Sequence, residues 1–130
     1  MTEQTSSSEI PQYNREQVIE VFRRFVDKGI PSPDDLDLSN PEVIAANQIL
    51  DSWSAQEEAE AKKSGTRDAK LQYELDRSTI LVDAGFLDPD YLDEVANDWL
   101  AQDLQVAEDE GLTDMATKIQ TKIDEINAIL

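Results

Sequence analysis

Two stretches decide how this chain is read: "VDKGIPSPDDL" at residues 26–36 and "VDAGFLDPDYL" at residues 82–92. They share Val, Asp, Gly, Pro, Asp and Leu at matching places, at an offset of 56. Each shared letter has a local use. A glycine after an apolar turn stops a helix, because it enters the left-handed conformation at no steric cost. A proline followed by an acid opens one, since the first helical position wants no N–H and the positive dipole end favours a carboxylate. A tandem duplication would keep one period along its length. Here "AKLQYELD" at 69–76 matches "TKIQTKID" at 117–124 at a different offset, 48, which Pro41 and Pro89 also keep. Two offsets favour shared helix punctuation over a repeated motif.

The same punctuation parses the rest. The four glycines, at 29, 65, 85 and 111, each follow a helical segment. A first helix is predicted over 14–28, with Val18, Val21, Phe22, Phe25 and Val26 at spacings of three and four. A second opens at Asn40-Pro41-Glu42, carries Ala46, Ile49, Leu50 and Trp53 on one face, and ends in "KKSG". Thr66 caps a third, with Leu71, Leu75, Ser78 and Val82 aligned, ending at Gly85. Asp88-Pro89-Asp90 opens a fourth, whose Leu92, Val95, Ala96, Trp99, Leu100 and Leu104 are expected to face inward. The fifth carries Leu112, Met115, Ile119, Ile123, Ile126 and Leu130. No segment alternates with a period of two between turn signals. The expected fold is all-α: a small bundle of about five helices in antiparallel hairpins. One acidic helical domain over 13–130 should follow a disordered, Ser-rich tail over 1–12.

Composition narrows the chemistry. The chain has 130 residues, 29 acids against 11 bases and a formal net charge of −18. That charge repels nucleic-acid phosphates and anionic membranes, so direct binding to either is not expected, and an electrostatically chosen partner should be basic. With no cysteine and no histidine, zinc sites built on those residues, Ser-His-Asp and Cys-His nucleophiles and disulfide frameworks are all excluded. The glycines stand too far apart for a phosphate loop. No apolar run approaches the roughly 20 residues that span a bilayer. The polar, acidic opening "MTEQTSSSEI" has the wrong chemistry for a signal peptide. The expected location is cytoplasmic, with no cofactor and no metal.

Segment 88–111 is the most unusual part, with nine acids and no base. Asp90, Glu94 and Asp98 recur at four-residue spacing, and Asp93, Asp103 and Glu108 extend the set. Like charges so placed cost a helix a few tenths of a kcal/mol per pair. The bland reading is a solvated face whose first-turn acids suit the helix dipole. The functional one is a docking strip for a basic partner. Calcium-loop spacing fails at both acidic stretches, since Ala46 falls where Glu should stand after Asp35, and Leu92 where a ligand should stand after Asp88. Trp53 and Trp99 read as core residues.

Carboxylate catalysis remains chemically open, but nothing selects one pair among 29 acids. The function expected is therefore non-catalytic protein–protein interaction, as an adaptor, assembly factor or chaperone-like partner meeting a basic surface. Two alternatives fit the acidity: a nucleic-acid-mimicking inhibitor of a nucleic-acid-binding protein, and a solubility-adapted domain with no electrostatic partner.

Overall fold

The structure is a computed structural model that describes residues 12–130. The predicted tail therefore lies outside the described residues, Gln12 excepted. The first helix, α1 (Arg15–Asp27), is capped by Asn14, whose side chain accepts from the Gln17 N–H while Gln17 accepts from the Asn14 N–H. This reciprocal box satisfies two of the amide donors that a helix start leaves open. A short 3-10 turn (Pro33–Asp35) leads to α2 (Pro41–Ser64), opened by Asn40 and Pro41 and closed by Gly65. Thr66 caps α3 (Arg67–Ala84). Asp88 caps α4 (Pro89–Glu94), which runs through a π-helical segment (Val95–Trp99) into α5 (Leu100–Asp109), and α6 (Thr113–Ile129) returns alongside. With α4, the π segment and α5 counted as one rod, the described residues form the predicted all-α bundle.

The repeated stretches prove to be one device used twice. At the first, the Ile30 N–H bonds to the Phe25 carbonyl at 3.2 Å and the Gly29 N–H to that of Val26 at 2.9 Å. At the second, Phe86 reaches Leu81 at 3.2 Å and Gly85 reaches Val82 at 3.0 Å. Both are Schellman turns, and the Ala107–Leu112 turn repeats the pattern. The two stretches also touch. A β-carbon at Gly85, whose φ is +116°, would lie 3.1 Å from a Val26 methyl, and the Asp88 N–H donates to the Pro31 carbonyl. Glycine is required at 85 by conformation and by space together.

Helix α3 is the hub. It packs against α1, α2, the rod and α6, so Leu71, Leu75, Thr79, Ile80, Leu81, Val82 and Ala84 are all buried around it. A helix covered on several sides needs apolar residues beyond one stripe, which is why its predicted face was too narrow. The hairpins are antiparallel: Ser54 and Tyr73 share a 2.6 Å hydrogen bond across α2 and α3, and Asn97 and Asn127 exchange two across the rod and α6.

Two residues expected inside are not there. Leu130 is 52% exposed, at the C-cap one residue past the last turn of α6. Trp99 is 38% exposed. Its displacement has a geometric cause: the Leu100 N–H bonds back five residues, to the Val95 carbonyl. A wide turn of this kind holds one residue more than an α-turn and so shifts the following stripe by roughly 100°. Leu100 takes the inward place, fully buried, and Trp99 moves to the rim.

Candidate functional site

The rod formed by α4, the π segment and α5 carries all six acids singled out by the sequence. Asp90, Asp93, Glu94, Asp98 and Glu108 are exposed, and Asp103 is half-buried. Burial of Tyr91, Leu92, Val95, Ala96, Leu100 and Ala107 on the opposite side holds the rod in place. Asp90, Asp93, Glu94 and Asp98 therefore form the outer patch, while Asp103 leaves it. Asp103 turns toward α3, where burial first and the neighbouring Glu74 second push its carboxyl up to about 6. Glu108 stands apart too, at the edge of an open groove of about 480 Å³ between α5 and α6, beside Thr113, Ala116 and Thr117.

The patch is held without cations. No carboxylate from Asp88 to Asp109 stands within ion-pair distance of a lysine or arginine among the described residues. Amides take their place. Asn97 donates to Asp93, Gln102 to Asp98 and Gln105 to Asp109, each at 2.9 Å and each four residues away. Such pairs steady a helix by a few tenths of a kcal/mol while leaving the carboxylate charge in place. Only at Glu110, past the end of the rod, does a cation arrive, from Arg67.

The bases are occupied or grouped elsewhere. Arg15 and Lys122 converge on Asp83 at 2.7 and 2.9 Å, tying α1 and α6 to α3. Burial alone would raise Asp83, but the hydrogen bonds and charges of Lys122 and Arg15 outweigh it and hold the carboxyl below its ordinary value. Arg15 Nη2 also donates to Thr79. Lys62 and Lys70 line a cleft of about 470 Å³ between α2, α3 and Glu110, with Arg67, Tyr73 and Glu74. Asp76 is half-buried and raised, by burial against only partial relief from Gln72.

Sequence reasoning missed an aromatic pair at the rim. Tyr91 and Trp99 meet edge to face, with ring centroids 6.2 Å apart and planes at 82°. Burial pushes the Tyr91 hydroxyl up to about 12. No letter marks the π segment that brings Trp99 there. The adjacent apolar residues Trp99 and Leu100 fit the inner stripe in either phase.

Among the described residues no group of three or more acids stands close enough to hold a metal ion, and no helix is long and apolar enough to cross a membrane. No protein-family model, curated protein or solved structure matches the chain.

Proposed function

We propose that this chain is a non-catalytic protein–protein interaction protein, an adaptor, assembly factor or chaperone-like partner, whose acidic rod seats a basic surface. The observation that carries the reading is the lack of any ion pair along the rod among the described residues. The chain has 11 bases, yet among the described residues none forms an ion pair with a carboxylate from Asp88 to Asp109, and Asp93 and Asp98 meet amides instead. An outward row of uncompensated charge on a rigid helix attracts an oppositely charged surface, speeds its encounter and rejects partners of the wrong sign.

The test uses the full chain as bait near physiological salt, beside a variant carrying Asp90→Asn, Asp93→Asn, Glu94→Gln and Asp98→Asn. A stoichiometric, salt-eluted protein held by the first bait and lost from the second is the expected result. Equal capture by both would overturn the assignment of this face. A captured partner that nucleic acid displaces would turn the reading toward mimicry, since DNA or RNA and the rod would then compete for one basic site.

A further inference from the structure

The wide turn leaves Trp99 at the rim, beside the acidic patch. Trp53, the other tryptophan, gives its whole ring to the core at 1% exposure. Trp99 instead opens more than a third of its surface to solvent, midway along a rod without bases. It does not hang free there. Tyr91 backs it edge to face, and Tyr91 is itself seated in the core. Such an aromatic pair is a rigid platform, costing little entropy when a partner lands on it.

The surroundings define what could land. Glu94 lies near enough to act on the Tyr91 hydroxyl, and Asp98 immediately precedes Trp99. The charge of Arg77 on α3 works against the rise that burial imposes on the Tyr91 hydroxyl. Among the described residues the cation over a ring is Lys28, above Phe25, and Trp99 carries none. An open indole beside uncompensated carboxylates suits a flat, weakly hydrated cation better than a compact ammonium. The guanidinium can stack on the ring while its N–H groups reach the acids.

We propose that Trp99, backed by Tyr91, is the anchor for an arginine side chain of the basic partner, whose guanidinium stacks on the indole while Glu94 and Asp98 balance its charge. This rests on the reading of the rod as a face for a basic protein. It adds a side-chain identity that charge alone cannot supply, because every carboxylate of the patch accepts lysine as well.

The experiment titrates the full chain with dye-labelled deca-arginine and deca-lysine at low salt, following anisotropy. The same titrations on Trp99→Leu and Trp99→Phe separate the ring from the surrounding charge. Deca-arginine is expected to bind about two- to fivefold tighter than deca-lysine, the factor that an exposed cation–π contact contributes. Trp99→Leu should remove that preference and leave the salt-sensitive remainder, while Trp99→Phe should keep part of it. Equal binding of the two peptides, or a preference that survives Trp99→Leu, would overturn the anchor and leave the acidic face standing. Binding of neither peptide would overturn both.

Discussion

Replacing Asp103 by asparagine removes a carboxyl held in the wrong place for a charge, half-buried against α3 and beside Glu74. An unfolded chain gives up that proton near the ordinary aspartate value of about 3.9, whereas the folded chain keeps it up to about 6. Folding therefore takes up a proton between those values. The stability contributed by this group is complete below about pH 4 and is lost as the pH climbs through about 6. Fully felt, the gap amounts to about 3 kcal/mol. The carboxyl keeps part of its solvent, so roughly 1 kcal/mol is the figure to expect. The asparagine side chain would carry no charge at any pH, and its amide could donate to Glu74. Urea unfolding followed by circular dichroism should show Asp103→Asn more stable than the parent by about 1 kcal/mol at pH 7.5, about 3–5 °C in Tm. At pH 4.5, where the folded parent is protonated but the unfolded chain is mostly ionised, the gain should shrink to roughly a third. A loss of stability at pH 7.5, or the same gain at both pH values, would refute the account of this carboxyl.

Asp83→Ala strands Arg15 and Lys122, all three about a quarter to a third exposed, and should cost about 2 kcal/mol in the same assay, less than for a sealed pair. Because the carboxyl of Asp83 is held low, its contribution is present above about pH 4 and fades as the pH falls through its folded value, so the variant should differ least in acid. Gly85→Ala meets both a positive φ and a Val26 methyl and should destabilise by more than about 1 kcal/mol. Gly65→Ala, with the same sign of φ but open space around it, should cost less, and thermal melts of the two separate strain from crowding. In Trp53→Phe the remaining indole should emit at long wavelength and be quenched readily by acrylamide, while Trp99→Phe should leave a blue-shifted, protected emission from Trp53. A protected Trp99 would contradict the phase shift at the π segment.

What the letters revealed was what neighbours in sequence determine. Asn14, Asn40, Thr66 and Asp88 accept from amides two or three residues on, so their role shows in a short window. The stripe of Met115, Ile119, Ile123 and Ile126 is equally plain, since α6 has one buried face. Asp83 is another matter. Its two cations come from positions 15 and 122, and nothing local singles it out from 29 acids. Trp99 was hidden by a single fact of phase. An α-helix read at 3.6 residues per turn through positions 95–99 turns Trp99 inward, and only the i to i+5 bond at Val95 corrects it. Asp90, Asp93, Glu94 and Asp98 are exposed in either phase, since the first three precede the wide turn and Asp98 lies within it.

That wide turn bears on how this chain can change over generations. With one residue fewer between Val95 and Trp99, the rod could close as a regular α-helix with Leu100, Leu104 and Ala107 still turned to the interior. An indel elsewhere in these helices rotates half a core stripe into water. Here it would keep the core stripe and reshape the surface around Trp99 at the cost of the Asn97 or Asp98 contacts, so descendants of a common ancestor could gain or lose this surface feature in a single step.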